Sequence, residues 1–137
     1  MSDNEIKKDL NFLIVDDHII NLTLLGKILK RNGYKSIYTA KNFEDALRLI
    51  KKMPIDFIIA DWHMPGKSGI DLLKTIRNDT KYQHITILMV TGEAEKEQVL
   101  HAVEEGVDGY QIKPYSEERI INNIKQILHA KSLSDST

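Results

Sequence analysis

With 137 residues, 42% of them hydrophobic and 28% charged, the chain has room for one domain with a sizeable core. Its net charge of −1 argues against nucleic acid or an acidic membrane as a partner, and the absence of cysteine excludes disulfides and thiolate metal sites. Residues 1–9 lack the apolar core of a signal peptide and no apolar run is long enough to cross a bilayer, so a cytoplasmic location is expected.

The first apolar run, Phe12 to Val15, reads as a strand and ends in Asp16-Asp17. A helix follows, with Leu22, Leu25, Ile28 and Leu29 on one face and Gly33 placed to end it. After a short strand from Ser36 to Thr39, Asn42 is positioned to cap a helix carrying Ala46, Leu47, Leu49 and Ile50. Ile55 to Ala60 is continuously apolar, as a strand covered on both faces is, and Asp61 ends it. Ser68 and Asp71 have capping-box spacing ahead of Leu72, Leu73 and Ile76. Ile85 to Val90 is a further buried strand, ended by Thr91. Val99, Ala102 and Val103 mark a helix stopped by Gly106. Gly109 to Ile112 is the last strand, with Lys113-Pro114 behind it. Ser116 caps a final helix whose stripe is Ile120, Ile121, Ile124, Ile127 and Leu128. Five strand–helix units in strict alternation predict an α/β domain with a parallel sheet over residues 10–129. Residues 1–9 and 130–137 read as flexible tails, with no output domain in the sequence.

The chemistry lies at the strand ends. If the first and third apolar runs are neighbours in one sheet, Asp16, Asp17 and Asp61 meet at its carboxyl edge, where open α/β sheets place their sites. Three unpaired carboxylates repel one another and require a cation, and oxygen-only ligation suits Mg²⁺. A hydroxyl, Thr91, and an ammonium, Lys113, at two further strand ends complete the parts of a phosphoryl-transfer site. Singly these residues are bland: an acidic pair after a strand is usually a solvated turn, and a strand-end threonine is ordinary sheet composition. Their joint occurrence in order is what carries the inference.

These motifs resemble the signature of the response-regulator receiver family, over roughly Leu10 to Leu128. Within that family the likeness is to the chemotaxis regulators, through the segments Asp61 to Pro65, Leu88 to Ala94 and Gly109 to Tyr115. The resemblance implies a five-stranded, doubly wound sheet in the flavodoxin-like order. It implies that Asp61 accepts a phosphoryl group from a histidine kinase. Asp17 and Asp61 would then bind Mg²⁺ directly, Asp16 mainly through water, and the backbone carbonyl of His63 would be a further ligand. Thr91 and Lys113 would contact the phosphoryl group, and Thr91 with Tyr110 would form the switch. His63 and Glu93 would border the phosphoryl group and tune its lifetime; His63 stands where the chemotaxis regulators typically carry asparagine. On this reading the protein acts as a monomer and catalyses only its own phosphotransfer and autodephosphorylation. Its downstream protein partner is expected to dock on the last two strand–helix units, with the flagellar motor switch as the candidate.

Three other readings are weighed. A phosphorelay shuttle would pass its phosphate to a second histidine. A haloacid-dehalogenase-like phosphatase needs a second aspartate two residues after its nucleophile, and that position is His63. A flavin protein needs a glycine- and hydroxyl-rich phosphate loop where this chain has Asp16-Asp17-His18. His18 and His63 fall near the acidic pocket, so a softer divalent metal is a minor expectation there.

Overall fold

The computed structural model describes residues 9–92 and 96–135. Five strands, β1 (Asn11–Val15), β2 (Ser36–Ala40), β3 (Phe57–Asp61), β4 (Thr86–Thr91) and β5 (Gly109–Ile112), alternate with five helices. These are α1 (Ile19–Arg31), α2 (Phe43–Lys52), α3 (Gly69–Arg77), α4 (Lys96–Glu104) and α5 (Glu117–Asp135). All strand pairs are parallel, in the order β2-β1-β3-β4-β5. The winding direction therefore reverses between β1 and β3, and their carboxyl ends open the crevice in which such sheets hold ligands.

Period-two alternation divides the strand side chains between two cores. Leu13, Val15, Ile58, Ala60, Ile87 and Met89 join Ala46, Ile50, Leu72, Leu73 and Ile76 under α2, α3 and α4. Phe12, Ile14, Phe57, Ile59, Leu88 and Val90 meet Leu22, Leu25, Leu29, Ile120, Ile124 and Ile127 under α1 and α5. Every residue of β3 and β4 is buried, which explains their unbroken apolar sequence.

Local signals act where the spacing predicts. Asn42 Oδ1 accepts from the Asp45 N–H at 2.8 Å, the Asp71 carboxylate accepts from the Ser68 N–H at 2.8 Å, and Ser116 Oγ accepts from the Arg119 N–H at 3.1 Å. Two strand starts differ from the hydrophobic pattern. Ile55 and Ile85 are buried but sit in turns, their N–H groups donating to Met53 O and Tyr82 O, so the ladders begin at Phe57 and Thr86. The C-terminal boundary is also corrected. Helix α5 continues past His129 to Asp135, because Ala130 and Lys131 favour helix and Lys131 pairs with Asp108 at 3.2 Å.

One glycine sets the distance between α3 and the end of β3. A Cβ on Gly69 would stand 2.4 Å from the Asp61 carbonyl oxygen and 2.7 Å from Met89 Cε. Gly69 N–H donates to Trp62 O at 3.0 Å, closing the loop that carries His63. By contrast, a Cβ on Gly26 in α1 would meet nothing within 4 Å. Gly69→Ala is therefore expected to cost about 1–3 kcal/mol by overpacking. Gly26→Ala should stabilise by about 0.4–1 kcal/mol through the unfolded chain. Denaturant midpoints of the two variants check this, and the same sign for both would contradict it.

Candidate functional site

Asp16 and Asp17 follow β1, Asp61 is the last residue of β3, Thr91 the last of β4, and Lys113 follows β5. The parallel register places them on one edge: Asp61 pairs with Val90, and Thr91 with Ile112. The Lys113 N–H donates to the Thr91 carbonyl at 2.7 Å, fixing the lysine's backbone to the end of β4.

The side chains converge from there. Lys113 Nζ lies 3.4 Å from Asp61 Oδ2 and 3.7 Å from Asp16 Oδ2. Asn21, in the first turn of α1, donates to Asp16 Oδ2 at 3.0 Å, and the His18 N–H donates to Asp16 Oδ1 at 2.9 Å. Asp61 Oδ1 accepts a long 3.4 Å bond from the His63 N–H. His18 is the N-cap of α1 but makes no side-chain cap. Its imidazole turns the other way, with Nδ1 at 3.2 Å from Asp16 Oδ1 and 3.1 Å from Asp17 Oδ1. That second distance suits an ion pair, but the angle does not suit a hydrogen bond: Asp17 Oδ1 is buried without one.

One ligand atom from each of Asp16, Asp17, His18 and Asp61 falls within 4.8 Å of the others. Three carboxylates against the single Lys113 ammonium leave two negative charges over, which a divalent cation neutralises. The orphaned Asp17 oxygen and the all-acidic core of the cluster fit Mg²⁺. Burial pushes the Asp61 carboxyl above its ordinary pKa; Lys113 opposes this and Asp16 adds to it. The Tyr115 phenol, packed beside the pocket, is also raised, first by burial and then by Asp16 and Asp61.

The remaining expected residues divide. Thr91 is fully buried. Tyr110 is half-buried and lies edge-on to Trp62, with ring centroids 6.4 Å apart. Its hydroxyl has no partner of regular geometry, although Thr91 stands close enough to lower its pKa a little against the larger, raising effect of burial. The His63 backbone is at the pocket, while the residue as a whole is exposed. Glu93 lies outside the described residues. Trp62, next to Asp61, is buried and packed between Tyr110 and His101. Sequence reading passed over Asn21 and Tyr115. Asn21 was findable, since it sits one helical turn into the element that Asp16-Asp17 precedes. Tyr115 depends on the turn after Lys113-Pro114 and had no sequence signal.

Residues 12–125 match the family described as Response regulator receiver domain. The chain is a receiver domain of that family. It is similar to the chemotaxis protein CheY-3 of Vibrio cholerae, 37% identical over 122 residues that cover 89% of this chain and 94% of that protein. It is 35% identical to the chemotaxis protein CheY of Pseudomonas aeruginosa, over 86% of this chain and 95% of the relative. Its fold superposes on the crystal structure of Vibrio cholerae CheY4 with a TM-score of 0.82 at 28% identity, covering 87% and 98% of the two chains. Receiver domains serve two-component signalling with a histidine kinase as phosphodonor and a downstream partner, and they bind Mg²⁺ in an acidic pocket. The carboxylate cluster is the feature of this receiver that suits such an ion. Among the described residues, no helix is long and apolar enough to cross a membrane.

The raised Asp61 pKa has a consequence for stability. A carboxyl whose folded pKa exceeds its unfolded one costs nothing below the unfolded value and its full penalty above the folded value. In metal-free buffer at neutral pH, Asp61→Asn should raise the thermal midpoint, because the variant no longer holds a charged carboxylate in the buried pocket. The gain should shrink as pH falls toward about 4, the ordinary carboxyl range. Scanning calorimetry across that range checks it, and a variant no more stable than the parent at neutral pH contradicts it.

Proposed function

We propose that Asp61 is the phosphoryl acceptor and that the protein is a response regulator acting in chemotaxis. The observation that carries the acceptor reading is the Lys113 ammonium, held between Asp61 and Asp16 at the switch point of the sheet. An Asp61 carboxylate oxygen attacks the phosphorus of a phosphohistidine. The P–N bond breaks, its electrons stay on the imidazole, and an acyl phosphate forms. Lys113 pairs with a phosphoryl oxygen and Thr91 donates its hydroxyl to another. Asp16, Asp17, Asp61 and the His63 carbonyl would hold Mg²⁺, which supplies charge neutralisation for the incoming phosphoryl group. The chain acts on no separate substrate; it catalyses its own phosphotransfer and autodephosphorylation. His63 and Glu93 tune the lifetime of the acyl phosphate.

Phosphate acts by stabilising one of two packings of the α4–β5–α5 face. Thr91 moves toward the phosphoryl group and Tyr110 takes the space it leaves. The exposed Leu100, Val103 and Ile112 on that face give a partner apolar surface. The chemotaxis role, and the flagellar motor switch as partner, rest on the two chemotaxis relatives matched over nearly their whole length. A phosphorelay shuttle is the second reading. It is favoured by Ile19, Ile20 and Leu24, exposed on α1 beside the carboxylates, where a histidine-bearing helical partner can seat.

Acetyl phosphate with Mg²⁺ should add one phosphoryl group to the parent and none to Asp61→Asn. Intact-mass measurement checks this, and full labelling of the variant would remove Asp61 from the role. Phosphorylated parent should bind a motor-switch peptide about tenfold more tightly than unphosphorylated protein. No preference, together with rapid transfer to a histidine phosphotransfer domain, would replace the chemotaxis reading with the shuttle.

Lys113→Ala should accept phosphate but respond to it poorly, because the ammonium links the new charge to the end of β5. Amide exchange over residues 99–128, with and without phosphate, reads the response. A variant that responds as fully as the parent excludes the coupling role.

A further inference from the structure

We propose that the acidic pocket is a mixed oxygen–nitrogen site, in which His18 Nδ1 is a cation ligand that biases the pocket toward borderline transition ions such as Co²⁺ and Ni²⁺ over Mg²⁺. The proposal rests on the reading of this pocket as the cation site. Its basis is geometric. Neighbouring ligands in an octahedron with bonds of about 2.1 Å stand about 3.0 Å apart. His18 Nδ1 stands 3.2 Å from Asp16 Oδ1, with which it shares a hydrogen bond in the absence of an ion, and 3.1 Å from Asp17 Oδ1, oxygens of two different carboxylates. The nitrogen is thus spaced from both as an adjacent ligand of one ion would be. Asp61 brings a fourth ligand atom within 4.8 Å of all three residues.

The His18 backbone is fixed at the pocket, while its side chain is 66% exposed and free to turn toward an ion there. The His18 N–H donates to Asp16 Oδ1 at 2.9 Å, and the residue leads α1 as its N-cap without using its side chain to cap. The independent observation is Asp17 Oδ1. It is buried without a hydrogen bond although Nδ1 lies 3.1 Å away, so the pair is spaced for a shared ion and misaligned for a shared proton. The consequence follows from ligand preference. Carboxylates suit Mg²⁺, imidazole suits Co²⁺, Ni²⁺ and Zn²⁺, and affinity for a nitrogen-bearing site rises along the first transition row. The bland alternative is that His18 is only an ion-pair partner for two aspartates. Its removal would then alter the affinities for all divalent ions together.

Calorimetric titration of the full chain with Mg²⁺ and, separately, Co²⁺ decides between the two. His18→Ala should lower the preference for Co²⁺ over Mg²⁺ by about tenfold or more, and His63→Ala should not. Pulsed electron paramagnetic resonance of bound Mn²⁺ should show nitrogen coupling in the parent and in His63→Ala, and none in His18→Ala. An unchanged Co²⁺ to Mg²⁺ ratio, or no nitrogen coupling in the parent, overturns the proposal. Asp17→Asn and Asp61→Asn separate the two levels of the argument. If they weaken both ions while His18→Ala changes both equally, only the imidazole role falls. If they weaken neither ion, the pocket is not the cation site and both readings fall.

Discussion

Lys113 faces Asp16 and Asp61 across a site with Asp17 alongside, and this imbalance of one ammonium against three carboxylates governs the rest of the molecule. Burying and crowding these carboxylates costs stability in the absence of a cation: the Asp61 pKa is raised first by burial and then by Asp16, against the opposing pull of Lys113. The fold offsets it in two ways. Locally, the His18 and His63 N–H groups and the Asn21 amide are turned toward the carboxylates. Globally, β3 and β4 are buried along their whole length, so the strands that present Asp61 and Thr91 are the most firmly packed in the sheet. A strained charge cluster needs a rigid base, because loose strands would relax by moving the carboxylates apart. The base here is apolar burial on both faces.

Much of this was legible in the sequence, for physical reasons that can be stated. A strand covered on both faces reads as an unbroken apolar run, and the first polar residue after it marks the carboxyl edge. Asp16, Asp61 and Thr91 were therefore located by where apolar runs end; Lys113, after a strand with no buried residue, was located by its place in the order of the motifs. What periodicity cannot do is distinguish a buried strand residue from a buried turn residue. Ile55 and Ile85 were assigned to strands for that reason. Nor can it foresee a tertiary anchor such as the Lys131–Asp108 pair that carries α5 beyond His129. Side-chain direction was the third blind spot. His18 and Trp62 flank carboxylates in the sequence in the same way, yet one turns toward them and the other away into the core.

The two edges of the sheet differ in how they are held. At the amino edge Arg77 of α3 ties the loop before β4 to the loop between α4 and β5. Its guanidinium donates to Gly106 O, Gln83 O, Ile85 O and Asp108 Oδ2, and Asp108 also accepts from the Ile87 N–H and pairs with Lys131. A charged side chain so fully satisfied at the rim of the core fixes the loop between α4 and β5 at one end. Helix α4 buries only Ala102, and β5 has no buried residue, whereas α3 buries Gly69, Ile70, Leu72, Leu73 and Ile76.

Low burial leaves α4 and β5 loosely packed, while Arg77 fixes the loop between them at the amino edge. The aromatic contacts fall where the proposed switch has to be coupled to the pocket. Trp62 follows Asp61 directly, is anchored by its N–H to Val90 O at 2.9 Å, and meets His101 of α4 and Tyr110 of β5 with its ring edges. One side chain next to Asp61 thus touches both loosely packed elements. The uneven distribution of burial, firm under the carboxylates and thin under α4 and β5, is the physical condition that the proposed switch of this face requires.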